Sequence, residues 1–191
     1  MSTSCTQQEK KTEKEDDFRY LLEQFADLKI MRYQILGWDD LTLDQKKFIY
    51  YLGEAAKSGR DITFDQNYKY NLAIRKTLEE ILKNYEGDRT QPEWQKFQTY
   101  LKRVWFSNGI HHHYSTDKFL PGFSKEYFVE LINNSPGSVF PYEEGEDLES
   151  FTNKIIPVMF DPGVDAKKIV TDTDQDIVAA SATNFYEDGI T

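Results

Sequence analysis

The chain has 191 residues, 39% of them hydrophobic and 15% aromatic, with a formal net charge of −10. That balance argues against nucleic acid as the main partner, since phosphate binding relies on concentrated Lys and Arg. A single cysteine, Cys5, excludes an intrachain disulfide framework and a cysteine-based zinc site, and no run of about 18 apolar residues is present to span a membrane as a helix.

Residues 1–17, MSTSCTQQEKKTEKEDD, are polar and charged after Met1 and read as a disordered tail. Within it, Cys5 behind Ser2, Thr3 and Ser4 resembles the acylated cysteine and tether of a bacterial lipoprotein whose apolar signal segment is replaced by Met1. That reading places the protein in the cell envelope or periplasm; a stray cysteine in a tail leaves it cytoplasmic.

Residues 18–191 read as one mostly helical body. FADLKIMRYQI (25–35) alternates in its second half, as a strand or an extended lead-in does. Thr42 with Gln45 is a capping-box signature, followed by Phe48, Ile49, Leu52, Ala55 and Ala56 at helical spacing and a stop at Gly59. A second helix is predicted from about Asp65 to Tyr85, with Tyr68, Leu72, Leu78, Ile81 and Leu82 inward. A third opens at Thr90-Gln-Pro-Glu93, a second capping box, carries Trp94, Phe97, Leu101, Val104 and Trp105 inward, and breaks at Gly109. KFLPGF is a turn, Ser124 opens a short helix, and PGSVFPYEEGED is a loop. LESFTNKIIPVMFDP is a helix or strand stopping around Pro157. Asp161-Pro162 then caps a further helix, and a last one starts near Asp172. NFYEDGIT reads as though another element were about to begin.

All three histidines stand together in WFSNGIHHHYSTDKF, Trp105 to Phe119. In an extended segment His111 and His113 share a face, so they could be two metal ligands, with Asp117 near. No His-Glu-x-x-His spacing occurs in the chain to support that. Ser107, Ser115 and Asp117 supply the residue types of a catalytic triad without a nucleophile elbow. The acidic runs EEGED (143–147) and DTDQD (172–176) lack the glycine and distant glutamate of a calcium loop and read as solvated. The remaining readings are an ordinary surface loop and a recognition loop. Asn108, Tyr114, Asp117 and Lys118 are side chains of the binding kind, crowded after a rigid helix.

Three stretches carry a family likeness: LTLDQKKFIYYLGEAAKSGRDITFDQNYKYNLAIRKTLEEI, WQKFQTYLKRVWFSNGIHHHYSTDKFLPGFSKEYF and the closing NFYEDGIT. Together they resemble the N-terminal part of dipeptidyl peptidase III in its bacterial, Bacteroides-type form, from about Phe25 onward and most loosely over 140–175. SNG…DKFLPGFS is the most specific part. Related animal sequences carry one more residue between the positions of Asn108 and Gly109, and have Tyr, Lys and Ser where His111, His112 and His113 stand.

The resemblance implies a zinc exopeptidase that removes dipeptides from the N-termini of short peptides. It implies two lobes around a cleft, with zinc and the general base on a His-Glu motif that this chain does not contain. The chain would then be α+β and predominantly helical. It would form the N-terminal part of the lower lobe, with two or three strands contributing to a β-barrel completed by later sequence. On this reading the zinc belongs to the full-length protein, and this chain holds no catalytic residue and no metal. Its partners are short peptides and the remainder of the same polypeptide. The implied substrate contacts are Asn108, Gly109, His112, Tyr114 and Lys118, with Tyr114 at an aromatic position that lines the peptide cleft. A stand-alone peptide-binding module and a small metal-binding protein using His111 and His113 are the alternatives.

Overall fold

The computed structural model describes residues 18–115, 117–166 and 174. The chain divides into two compact units at Leu43/Asp44. The architecture is α+β and predominantly helical, with six helices and one two-stranded sheet among the described residues. Among those residues no helix is long and apolar enough to cross a membrane. The expected tail, 1–17, and the helix expected near Asp172 lie outside them.

In the first unit, the alternating segment is one arm of a hairpin. Strands β1 (Leu21–Phe25) and β2 (Leu28–Met31) pair antiparallel, with Leu21 opposite Met31 and Phe25 opposite Leu28, and a register irregularity between Leu21 and Glu23. The loop has two residues, and Ala26 takes φ +48°. A two-residue hairpin loop needs a positive φ there, at a cost of about 1–2 kcal/mol for a residue with a Cβ. Arg32 closes the open end: its N–H donates to the Tyr20 carbonyl, its Nε donates to the Arg19 carbonyl, and its guanidinium lies 4.5 Å from the Phe18 ring centre. Phe18 and residues 33–40 border an open concavity of about 730 Å³.

The second unit holds the helices. α1 (Leu43–Ser58) starts directly after Thr42 and stops before Gly59, as its signals predict. Its apolar stripe does not reach the core: among the described residues α1 contributes none that is buried, and Phe48 and Leu52 are 67% and 59% exposed.

The single helix expected over 65–85 is two. α2 (Arg60–Asn67) ends at Tyr68, which is extended at φ −172° and ψ 137°, and α3 (Asn71–Asn84) starts three residues on. The break turns Tyr68 into the core and points the Asn71 carboxamide away from its own helix. α4 (Pro92–Ser107) begins with Pro92 in the first turn as expected, but its capping box does not form. Thr90 gives its hydroxyl to Asp88, and Glu93 instead accepts from the backbone and hydroxyl of Ser124. Ser124 caps α5 (Lys125–Asn133) through the Tyr127 N–H.

α6 (Leu148–Phe160), capped by Asp147, runs through Pro157 rather than stopping there. Proline has no N–H for the carbonyl four residues back, but Pro157 and Asn153 both face solvent, so water can serve that carbonyl. The helix expected from Asp161 does not form over 161–166. Asp161 instead closes α6, and its carboxylate accepts from Gly163 in a turn.

The core takes in Tyr68 and the α3 and α4 positions that follow, as read in the sequence, together with positions of α5 and α6 that the sequence reading did not single out, while Leu72 and Leu82 are only partly buried. Leu78 and Ile81 of α3, Trp94, Phe97, Leu101 and Val104 of α4, Phe128 and Leu131 of α5, and Phe151, Ile155 and Met159 of α6 are all buried. Each contributes about 1.5–3 kcal/mol of burial. Trp94 stacks between Tyr85 and Phe97, with centroids 5.1 and 5.0 Å away. Trp105 is half-buried and gives its indole N–H to Glu79, tying α4 to α3.

Candidate functional site

The histidine loop grows out of the last turn of α4. Asn108 takes the left-handed conformation, φ 53° and ψ 39°, and both its N–H and that of Gly109 return to the Val104 carbonyl. This is the bond pattern by which helices end, with Asn standing where glycine is commonest. Asn71 grips the segment from Asn108 to Ile110 from two sides. Its Nδ2 donates to the Asn108 carbonyl at 3.3 Å, and its Oδ1 accepts from the Ile110 N–H at 3.0 Å. Asn67 adds a third bond, to the same Asn108 carbonyl.

Beyond Ile110 the chain folds back on itself. His111 pairs with Lys118 in an antiparallel bridge, the Phe119 N–H donates to Ile110, and the His112 N–H donates to Asp117. The His111 side chain is buried, edge-on to Tyr68 at 5.2 Å. Tyr68 in turn donates its hydroxyl to Asp165 at 2.5 Å. Burial, then the Asp165 carboxylate, pushes the Tyr68 phenol far above its ordinary range.

Lys118 points inward. Its ammonium donates to the carbonyls of Val158 and Asp161, each at 2.9 Å, and to that of Val164. These carbonyls lie at and just beyond the end of α6, where a cation is favoured by the helix dipole; that of Asp161 also accepts from the Val164 N–H. Burial pulls the Lys118 pKa below the usual lysine value, against the opposing pull of Asp165 and Asp161.

His112 shapes the turn itself. Its Nδ1 accepts from the N–H groups of Tyr114 (3.2 Å) and Ser115 (3.1 Å), which places the ring proton on Nε2. Ser115 gives its hydroxyl to Asp117. The turn carries a row of rings, of which His113 and Tyr114 are exposed and His112 and Phe119 half-buried. Phe119 meets His112 at 5.8 Å, His112 meets His113 at 4.5 Å, and His113 meets Tyr114 at 4.3 Å. Phe106 of α4 meets His113 edge-on at 5.2 Å, and the Arg103 guanidinium lies 5.0 Å from the Phe119 centre. Tyr114 is 82% exposed.

The five contact residues named from sequence therefore occupy four kinds of place. Asn108 and Gly109 make the helix end, and Lys118 ties the loop to α6. His112 builds the turn, and Tyr114 is held out to solvent. Sequence reasoning missed Asn71, which sits in a predicted helix and gives no local sign of reaching a loop 37 residues on. It also missed Phe106, His113 and Phe119 as ring partners, although Phe106 and Phe119 bracket the loop in the sequence.

His111 and His113 do not share a face. The first turns to the core and the second to the ring row, because the bridge to Lys118 ends extended geometry at His112. Among the described residues no group of three or more His, Cys, Asp or Glu side chains is arranged to hold a metal. The triad types are not assembled either, with Ser107 buried and Ser115 directed to Asp117. Within EEGED, Glu143 and Glu146 both pair with Lys154, and Asp147 caps α6. The other acidic run, 172–176, lies outside the described residues apart from Asp174.

The arrangement offers a rigidly anchored loop with exposed aromatic and imidazole faces. Compared with known proteins, the chain matches no family model and no curated sequence.

Proposed function

We propose that this chain is the substrate-side region of a zinc-dependent, dipeptidyl-peptidase-III-like exopeptidase that releases dipeptides from peptide N-termini. The loop carrying the most specific part of the resemblance is the observation that bears the reading. Its anchors spend Asn71, His112 and Lys118 on fixing the backbone, and Tyr114 is left outward with 82% of its surface free. A tyrosine held this way offers an apolar face and a hydroxyl to a peptide, and the fixed loop lowers the ordering cost of binding.

On this reading the zinc and the general base come from sequence outside this chain, and the hairpin β1–β2 joins a barrel that such sequence completes. A two-stranded sheet alone is marginal in water, which supports that part. The chain by itself binds short peptides weakly and hydrolyses none. The test is a titration of the isotope-labelled chain with a short peptide. The resonances of 112–115 shift, and Tyr114→Ala reduces the affinity. Shifts scattered away from this loop would count against the site. Zinc-dependent release of a dipeptide from a chromogenic dipeptidyl arylamide by this chain alone would overturn the division of labour.

A second reading is a free-standing peptide-binding or interaction module. The exposed apolar stripe of α1 favours it. A stop codon directly after Thr191, with peptide binding retained, supports this reading. An in-frame continuation encoding a His-Glu motif excludes it.

A further inference from the structure

The ring row has more structure than a peptide contact requires. We propose that it is a stacking platform for an aromatic side chain of the bound peptide, with His112 as the positioning residue; this rests on the peptide-binding reading above. The row runs Phe119, His112, His113, Tyr114, with Phe106 edge-on to His113. His112 and His113 lie 31° from parallel and His113 and Tyr114 47°, while Phe106 stands at 76° to His113. Successive rings thus offer both faces and edges, at centroid separations of 4.3 to 5.8 Å, at or just below the range aromatic pairs favour. The row ends in Tyr114, which is 82% exposed, and Phe106, edge-on to the neighbouring His113, is 40% exposed. A further ring continues this pattern with face and edge partners already in place.

Three features select an aromatic group over other occupants. The row is made of π-systems with little aliphatic surface, so an aliphatic side chain gains area but no quadrupole contact. A cationic side chain meets the guanidinium of Arg103 already seated over Phe119. A metal ion meets an imidazole whose Nδ1 is taken by two backbone N–H groups.

His112 acts through the others. By accepting from Tyr114 and Ser115 it sets the backbone that carries the Tyr114 ring, and its own ring bridges Phe119 to His113. Asparagine places Oδ1 where the imidazole carries Nδ1, so His112→Asn keeps the turn and loses one ring; His112→Ala loses both.

The experiment uses the full chain and three peptides of equal length, differing at one position: phenylalanine, cyclohexylalanine or arginine. Binding is read by calorimetry and by the ring resonances of His113 and Tyr114. The phenylalanine peptide is expected to bind roughly 2- to 10-fold tighter than the cyclohexylalanine peptide, which has similar apolar bulk but no π face. Tyr114→Leu is expected to abolish that ratio, His112→Ala to abolish it, and His112→Asn to retain most of it. Equal binding of phenylalanine and cyclohexylalanine overturns the proposal and leaves peptide binding intact. Preference for arginine overturns it in favour of a cation site, and loss of the His112 and His113 signals on adding zinc overturns it in favour of a metal. If none of the three peptides binds, the peptide reading itself falls, and the platform with it. A His112→Asn protein that keeps the native loop resonances but behaves as His112→Ala removes His112 from the positioning role.

Discussion

The carboxamide of Asn71 fills the space that a side chain at Gly109 would need. A Cβ at Gly109 would lie 2.1 Å from Asn71 Nδ2, and Gly109 also holds φ +152°, a region L-residues rarely enter. The two residues therefore depend on each other: glycine admits the amide, and the amide satisfies the turn that glycine makes. Gly109→Ala is expected to destabilise the helical unit by about 2–4 kcal/mol through overlap and backbone strain. Asn71→Ala should cost a similar ~2–4 kcal/mol, because it strands the buried Ile110 N–H and one donor to Asn108. Asn71→Asp keeps the acceptor for Ile110 but cannot donate, so it should fall below wild type too. Urea denaturation followed through Trp94 and Trp105 fluorescence checks all three, and a neutral Gly109→Ala would contradict the packing.

Lys118 joins the loop to the end of α6, and its stem and its charge are separable. Lys118→Met keeps most of the aliphatic length and removes the donor to Val158, Asp161 and Val164. The expected cost is about 1–3 kcal/mol, with faster amide exchange at the C-terminal turn of α6 and at 112–117 together. Faster exchange at only one of the two would show that Lys118 does not couple them. The lowered Lys118 pKa has its own sign. The unfolded chain holds this proton to higher pH than the folded one, so stability from this group rises as pH climbs from the folded pKa towards 10.5.

The sequence made the helices legible wherever a 3.6-residue period coincided with a cap that needed no tertiary partner. Ser124 opens its helix as read, and Trp94, Phe97, Leu101 and Val104 bury as spaced; Asp147, read only as part of a solvated acidic loop, caps α6. It misled where a distant partner decided the outcome. The break at Tyr68 is made by packing on His111 and bonding to Asp165, neither visible in a window around residue 68. Glu93 left its capping box for Ser124, 31 residues away. At the histidine loop, the crowding of polar and aromatic types was visible, but which of them turn inward depended on the Lys118 bridge. Asn108 and Lys118 stood out as binding types; the Asn108 backbone and the Lys118 ammonium are bonded into the scaffold.

Tyrosine burial sets the alkaline limit of the fold. Tyr68, Tyr85, Tyr100 and Tyr127 all have phenol pKa values raised, with burial the first cause in each. An acid whose folded pKa lies above its unfolded value holds its proton longer when folded, so stability is full below about pH 10 and is lost above it. Each such group adds a slope of about −1.4 kcal/mol per pH unit once the unfolded phenol ionises. Tyr100 also has no hydrogen-bond partner for its hydroxyl among the described residues. Tyr100→Phe is therefore expected to be neutral or stabilising by up to ~1 kcal/mol at neutral pH and to flatten the alkaline decline by one group's slope. Denaturation curves at several pH values above about 9 test this, on either side of the ordinary phenol pKa; a clear loss of stability at neutral pH would mean the hydroxyl is bonded.

Pro157 offers a gain rather than a loss. It sits in α6 with its missing bond on the solvent side, opposite Asn153. Pro157→Ala restores an N–H for the Asn153 carbonyl and removes the ring from the preceding turn. A buried interior proline costs about 3 kcal/mol, and exposure of this carbonyl to water offsets part of that. The expected gain is about 1–2 kcal/mol, read as a higher thermal midpoint. A drop in the midpoint would show that proline at 157 is needed to bring Val158 and Asp161 to Lys118.

The exposure of α1 separates a part of a larger molecule from a protein complete in itself. Phe48, Ile49 and Leu52 form one stripe, yet 67%, 43% and 59% of their surfaces are exposed. In this chain, Phe48→Ser with Leu52→Ser is expected to change stability by less than ~0.5 kcal/mol per site, because little burial is lost. Phe97→Ala, in the core, should cost about 3–5 kcal/mol as the internal control. If a longer polypeptide covers α1, the same double substitution placed in that polypeptide should cost several kcal/mol, since two large side chains then lose a buried setting. A small effect in both settings would mean that α1 stays exposed to the end, and the stripe would then belong to a separate partner. A large effect in the short chain alone would mean that α1 folds back onto its own unit in solution.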